Sequence, residues 1–378
     1  MHLLNVIPGV LAVSSCVLLL WQWRAAKRFP LHQRTVVPDF MPAVSLLKPL
    51  KGSDDTTAAS LESWLKQNYP GARQVLFGVA DENDPVCDVV RDLIAKNPGS
   101  DAQLVICRES PGTNAKVATL IQLERLAKHG LILVSDADVR VPADFLANVV
   151  APLQDEKVGL VNCFYRLANP TTNAMRWEAV AINADFWSQV LQSQSIKPLD
   201  FALGAVMLTR RTALDEIGGF TALADCLADD YQLGHRIAKK GHRIALCPVV
   251  VECWDSPKDW AAIWKHQLRW ARTIRACQPL PYFFSIVSNA TLWPLLWLAG
   301  NPALDALEWV ALMIGYRTLT AVYLQRRLTQ TDPIDHCWLV PVKDLLQAVI
   351  WFLAFTGNTV EWRGKKMTLR PDGTLEKI

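Results

Sequence analysis

The chain has 378 residues, a formal charge of +3 and 51% hydrophobic residues, with a positive mean hydropathy. This is room for one large domain plus additional segments, and it is apolar for a soluble enzyme. Basic residues are scattered except in one late segment, so nothing argues for nucleic acid as a partner. The nine cysteines include no CxxC pair and no Cys/His cluster at zinc spacing, and they read as reduced thiols of a cytosol-facing domain.

In chain order, Leu3 to Trp23 carries no charge, and Arg24, Lys27, Arg28 and Arg34 come directly after it. A bilayer-spanning helix needs about 20 apolar residues. A signal peptide would place its charges before a shorter apolar core, so the segment predicts a retained anchor whose basic flank keeps the succeeding domain in the cytoplasm. Val44 to Leu47 reads as a strand. A helix capped by Ser53 or Asp54 runs through Gln67 and is stopped by Tyr69-Pro70-Gly71. Gln74 to Ala80 is a strand, then comes Asp81 and a helix opening at Pro85. Leu104 to Cys107, Ala115 to Lys128 and Leu131 to Ser135 complete a strand and helix alternation. Such an alternation predicts a parallel sheet with helices on both faces and ligands outside the carboxyl ends of its strands. No GxGxxG comes after these strands and no GxxxxGK[ST] occurs, which excludes the dinucleotide fingerprint and the P-loop.

Ser135-Asp136-Ala137-Asp138 stands at the end of the last of these strands. Two carboxylates there call for a cation or strong donors, because buried acids are almost never left unpaired. An EF-hand register fails, with Arg140 at position five and Ala147 at position twelve, so a calcium loop is excluded. A turn after the strand remains the simpler alternative. Asp229-Asp230 opens a helix that runs to Lys240 and stops at Gly241. Capping accounts for one of these aspartates and leaves the other free to accept a proton.

Trp260 to Arg275 is amphipathic, with Lys265, Arg269, Arg272 and Arg275 on one face and Trp260, Trp264, Leu268 and Ala271 on another. A basic helix with tryptophans just before an apolar run suits a membrane surface, against the alternative of a solvated basic face. Arg269-Trp270 stands apart, since a guanidinium fork beside an indole donor fits a phosphate or a sugar. Leu280 to Leu304 is again uncharged. Trp309 to Leu324 is broken by Arg317, and Cys337 to Val360 by Lys343-Asp344. These read as spans, with buried core helices as the alternative. Arg326-Arg327 and the cluster from Arg363 to Lys366 both carry cytoplasmic signals, so one of the three segments is expected to be interfacial or re-entrant.

The ordered set Val44-Ser45-Leu46-Leu47-Lys48-Pro49-Leu50-Lys51-Gly52, Asp81, Asp136-Ala137-Asp138, Asp229-Asp230 and Gln267-Leu268-Arg269-Trp270 resembles the ceramide glucosyltransferase family, inverting glycosyltransferases of GT-A fold. The bacterial branch that glycosylates hopanoids is similar too. The resemblance covers roughly residues 40 to 280 and the anchor, and the ordered set is more specific than any single motif. It implies an α/β GT-A fold with membrane-associated helices. It also implies that Asp81 contacts the uridine of a UDP-sugar, that Asp136 and Asp138 bind the donor and Mg²⁺ or Mn²⁺, and that Asp230 is the base. Arg269 and Trp270 would lie near the diphosphate and the acceptor, with Asp229, His266 and Gln267 supporting the acceptor side or the leaving group. His266 departs from the family, which usually has Gln or Arg three residues before the arginine.

The expected organisation is an anchor over 1–24, a cytoplasmic catalytic domain over 40–255 and a basic interfacial helix over 256–278. Spanning or re-entrant segments over 280–362 and a basic tail over 363–378 complete it. The expected activity is inverting, metal-dependent transfer of a sugar, glucose favoured, from a UDP-sugar to the hydroxyl of a membrane lipid, ceramide favoured. N-acetylglucosaminyl or glucosyl transfer to a hopanoid polyol or diacylglycerol is the alternative. A processive polysaccharide synthase would need a translocation channel, and a non-catalytic membrane scaffold would not need Asp230.

Overall fold

In the computed structural model, residues 2–362, 365–370 and 373–377 are described. An eight-stranded sheet runs in the order β3-β2-β1-β4-β7-β6-β8-β5. Its strands are β1 (Val44–Leu50), β2 (Arg73–Val79), β3 (Asp101–Ile106), β4 (Leu131–Ser135), β5 (Val139–Arg140), β6 (Val158–Leu167), β7 (Val206–Arg210) and β8 (Arg243–Cys253). β3, β2, β1 and β4 are parallel, β6 pairs parallel with β8, and antiparallel pairings join β4 to β7, β7 to β6 and β8 to β5. β1 and β4 are buried at every position, as expected of strands covered on both faces. β3 is an edge strand with alternating exposure. Its first half therefore lacks an apolar run, and the sequence located only its end.

Helix boundaries obey local chemistry. The Asn114 carboxamide accepts from Lys116 N at 3.0 Å and Val117 N at 3.2 Å, capping the helix Ala115–Leu126. The Asp54 carboxylate accepts from Thr56 N at 2.9 Å before the helix Thr57–Leu65. That helix stops short of Gln67, which turns inward to donate to Pro142 O and accept from Leu146 N. Because strand order reverses between β1 and β4, their carboxyl ends open the crevice where open α/β sheets hold ligands.

The N-terminal helix runs from His2 to Arg28, and Val6–Arg28 within it is long and apolar enough to cross a bilayer. Its last turns dock on the domain that carries the sheet, where Trp21 Nε1 donates to Ser195 Oγ and Gln22 Nε2 to Ser188 Oγ. Near its start, Gly9 allows close approach of the Trp297 indole, 3.2 Å from where a Cβ would stand. The uncharged run from Leu280 is not one straight helix. Pro279–Ser288 and Leu292–Gly300 meet at 56°, the geometry of a broken span or a re-entrant loop.

The charges in the two later runs have a tertiary explanation. Arg317 in the helix Leu304–Thr329 donates to Asp185 at 2.8 Å and to both carboxylate oxygens of Asp344 in the helix Leu339–Ala354. Lys343 pairs with Asp185, and Thr291 Oγ1 donates to Asp344. All four charged residues are buried. Neither helix meets the length and hydropathy of a span; their charged sides face the sheet domain through Asp185. Asp185 lies in the π-helical stretch Ala181–Phe186, a distortion often found at functional sites.

Two expectations are corrected. The segment 363–378, expected as a tail, is folded among its described residues. Strands β9 (Thr359–Trp362), β10 (Lys365–Leu369) and β11 (Leu375–Lys377) form an antiparallel sheet, and Val360, Met367, Leu369 and Leu375 bury one face against Leu227. Arg363 and Gly364 of the basic cluster lie outside the described residues. The helix Trp260–Cys277 does not offer its whole basic face to a membrane either. Arg272 donates to Thr359 O, Arg275 to Asn358 Oδ1, and Lys265 lies 3.3 Å from Glu361.

Candidate active site

β4 ends at Ser135, and the turn after it carries Asp136 and Asp138 to the crevice. Asp136 is held from three sides. Its amide donates to Ala205 O, the buried Lys48 of β1 reaches its carbonyl, and Lys116 Nζ lies 2.8 Å from its Oδ1. Lys116 also lies 3.2 Å from Asp229 Oδ2. One ammonium therefore joins the acidic pair after β4 to the acidic pair that opens the helix Asp229–Lys239. Burial alone would lower the Lys116 pKa, but the carboxylates of Asp136, Asp229 and Asp230 outweigh it and hold it above its ordinary value.

Burial pushes Asp230 up to about 6, Asp229 adds to that, and Lys116 works against it. The Asp230 carboxylate accepts from Tyr231 N at 2.7 Å. Its other oxygen lies over Gly204, 2.7 Å from where a Cβ would be. Gly204→Ala is therefore expected to displace this carboxylate, and a displacement of roughly 1 Å lowers the rate about a hundredfold wherever the group takes part in the reaction. Steady-state kinetics beside a thermal melt will show the loss without unfolding.

Asp138 is also pushed up to about 6, by burial and by Asp136, with Lys48 partly offsetting both. Lys48 in turn is lowered to about 7 by burial, with Asp138 and Asp136 opposing. Among the described residues, no hydrogen bond from another residue reaches the Asp138 carboxylate. Asp136 and Asp138 thus offer hard oxygen ligands at a strand end, one of them lacking a donor. No third His, Cys, Asp or Glu completes a metal cluster among the described residues. Two carboxylates with the remaining positions left to phosphate oxygens and water is how Mg²⁺ is commonly held beside a nucleotide, so the pair fits the expected ion.

Arg269 projects into the same region. Burial lowers its pKa, opposed by Asp230, Asp136 and Glu178, and its guanidinium makes no hydrogen bond or ion pair among the described residues. Trp270 packs on Phe186 with centroids 6.0 Å apart and on His266 at 4.9 Å. His266 Nδ1 and Gln267 Nε2 both turn to Glu178 Oε1, at 2.7 and 2.8 Å. Asp81 comes after β2 on the same sheet edge but is exposed, and its carboxylate accepts from Asn83 N at 3.0 Å.

Asp136, Asp138, Asp229, Asp230 and Arg269 are thus gathered into one cluster, while Asp81 stands exposed after β2, two strands away from β4. Sequence reasoning missed Lys116, Lys48, Glu178 and Gly204. Lys48 did leave a signal, as a cation inside an apolar strand. Lys116 in the first turn of an Asn-capped helix left a weaker one, while Glu178 and Gly204 gain their meaning only from residues distant in sequence.

Ceramide glucosyltransferase 3 of Caenorhabditis elegans is 27% identical over 362 residues, covering 92% of this chain and 77% of that protein. The beta-monoglucosyldiacylglycerol synthase of Nostoc sp. is 26% identical over 245 residues, covering 64% of this chain and 51% of that protein. In fold, the chain is similar to the mannosyltransferase PcManGT of Pyrobaculum calidifontis, with a TM-score of 0.58 and 22% identity over 91% of this chain and 99% of that one. The expected GT-A architecture is borne out. The family model for glycosyl transferase family 21 matches residues 7–375, and the chain belongs to that family.

Proposed function

We propose that the protein transfers a sugar, glucose favoured, from a UDP-sugar to the hydroxyl of a membrane lipid, ceramide favoured, with inversion at the anomeric carbon. The observation that carries this reading is the Lys116 bridge, which ties Asp136, one of the carboxylates suited to a metal and diphosphate, to Asp229 at the start of the helix that carries Asp230. Family membership supports sugar transfer, and the ceramide glucosyltransferase relative supports the acceptor class. The diacylglycerol-glucosylating relative supports a second reading, with diacylglycerol as acceptor.

Departure of a nucleoside diphosphate requires that charge growing on its oxygens be neutralised. Asp136 and Asp138 would hold Mg²⁺ or Mn²⁺, which when bound supplies Lewis-acid stabilisation to that leaving group. Arg269, free of protein partners among the described residues, is positioned to add a planar donor fork. Asp81 would lie toward the uridine. Asp230 takes the proton of the lipid hydroxyl as the oxygen attacks from the face opposite the diphosphate, and a single displacement inverts the centre. Asp229 keeps Lys116 in place between the two carboxylate groups.

The membrane-embedded part of this reading rests on the N-terminal helix and on apolar side chains left exposed outside the catalytic domain. Val6, Ile7, Val10, Val13 and Val17 lie along the N-terminal helix, and Leu304, Leu307, Leu312 and Leu319 along a later one. Apolar surface of this extent marks a membrane or partner face. The basic residues at the end of the first helix and just after it, Lys27, Arg28 and Arg34, support a cytoplasmic site.

Purified protein in detergent with a panel of UDP-sugars, ceramide, diacylglycerol and hopanoid polyols, read by mass spectrometry, tests the assignment. Ceramide glucosylation supports it, and turnover with a hopanoid but not ceramide overturns the acceptor. In the same assay Asp138→Asn, or chelation of divalent ions, is expected to lower transfer at least about a hundredfold, since Lewis-acid stabilisation amounts to several kcal/mol. Transfer that persists at full rate in excess chelator would remove the metal role.

A further inference from the structure

Glu178 lies buried on the helix Asn173–Val180, and nothing in its local sequence marks it as functional. Its Oε1 accepts from Gln267 Nε2 at 2.8 Å and pairs with His266 Nδ1 at 2.7 Å. Burial would raise the Glu178 pKa, but the hydrogen bond and charge of His266, the Gln267 hydrogen bond and the charge of Lys258 outweigh it and hold the carboxyl below its ordinary value. An ionised carboxylate at Nδ1 places the ring proton there. The lone pair of the neutral imidazole is then at Nε2, a fixed tautomer of the kind that carboxylates impose on histidines at metals and in catalytic triads.

His266 Nε2 makes no hydrogen bond among the described residues, and the side chain keeps 30% of its surface exposed. One side of the ring rests against Trp270, which continues through Phe186 to Tyr165 as an aromatic wall. The electrostatic surroundings of both Arg269 and Tyr165 include Asp230, Asp136 and Glu178, so this wall borders the reaction centre. The imidazole is thus a single oriented acceptor at the polar edge of an apolar surface, a combination suited to the region where a lipid headgroup meets its chains.

We propose that Glu178 and His266 form a carboxylate–imidazole dyad whose Nε2 accepts a hydrogen bond from a second donor on the lipid, an amide N–H or a neighbouring hydroxyl, beside the hydroxyl that is glycosylated. Lipids that carry such a donor are selected over those that offer only ester oxygens next to the reactive hydroxyl. The ester oxygens face a lone pair at Nε2 and gain nothing from it. Glu178 acts as a positioning residue, and Gln267 fixes the carboxylate from its other side. The inference rests on the lipid-transfer reading above.

The test uses the full-length protein in mixed micelles with one UDP-sugar and two acceptors of matched chain length, ceramide and diacylglycerol. The wild type is expected to favour ceramide in kcat/KM by at least about tenfold, the worth of one well-placed hydrogen bond. His266→Ala and Glu178→Gln are each expected to shrink that preference about tenfold, through a rise in the ceramide KM larger than any rise in the donor KM. His266→Gln, which retains an acceptor oxygen, restores part of it. Equal losses on both lipids, an unchanged preference in the two variants, or a wild type that prefers diacylglycerol each overturn the dyad while leaving lipid glycosylation standing. Transfer to neither lipid, with a UDP-sugar that the acceptor panel shows to be used, overturns the dyad together with the ceramide and diacylglycerol readings.

Discussion

Asp230→Asn is expected to lower transfer by roughly 10²- to 10⁴-fold, the usual contribution of a positioned general base. The substitution nearly preserves shape, and the donor side of the site is held by other residues, so UDP-sugar affinity by calorimetry is the control. The wild-type rate should fall as pH falls through about 6, because burial and Asp229 raise the Asp230 pKa to that value and only the ionised carboxylate accepts a proton. The residual activity of Asp230→Asn should lose the part of that limb that Asp230 contributes, leaving only what Asp138, raised to a similar value, adds. A variant with full turnover would remove the base assignment, and one that has lost donor binding as severely as turnover would move Asp230 to the donor side.

Arg317→Met is expected to destabilise the protein by about 3–5 kcal/mol, because Asp185 and Asp344 would keep their charges in a buried site with only Lys343 left to balance them. With an unfolding entropy of about 2 cal/mol/K per residue, that is a fall of roughly 4–6 °C in Tm. The exposed pair between Arg326 and Asp332 supplies the contrast. Arg326→Met should cost no more than about 1 kcal/mol, as surface ion pairs usually do. Equal melting temperatures for the two variants would mean that the Arg317 cluster is solvated and does not fasten the C-terminal helices to the catalytic domain. This cluster also bears on catalysis. Asp185 adjoins Phe186, which packs on Trp270, so loosening the helices is transmitted to the aromatic wall within one residue.

Much of the domain was legible because its determinants are local. β1, β2 and β4 are built around apolar runs, since both faces of a parallel sheet are covered, and the helices between them carry caps or stops of their own. Asp136, Asp138 and Asp230 stood out because acids at a strand end or helix start need an electrostatic reason. The N-terminal helix was legible as one uncharged run with a basic flank. The C-terminal third was read less well. Hydropathy registers Arg317, Lys343 and Asp344 as interruptions of spans, whereas the pairing of Arg317 with Asp185, 132 residues away in sequence, is visible only when their helices are brought together. The final strands were read as a tail for a related reason. Their few apolar residues make a face by packing against Leu227 and Ala276, distant in sequence.

The alternating fold, the acidic pairs at its functional edge and the apolar first helix could all be read from the order of residues alone, because each is a matter of spacing along one stretch of chain. Which charges meet was settled only by folding. Whether a carboxylate is a cap, a base or a ligand depends on the desolvation and the partners it finds, and those come from distant segments. Lys116 reaches across to join Asp136 to Asp229, and Glu178 takes both His266 and Gln267.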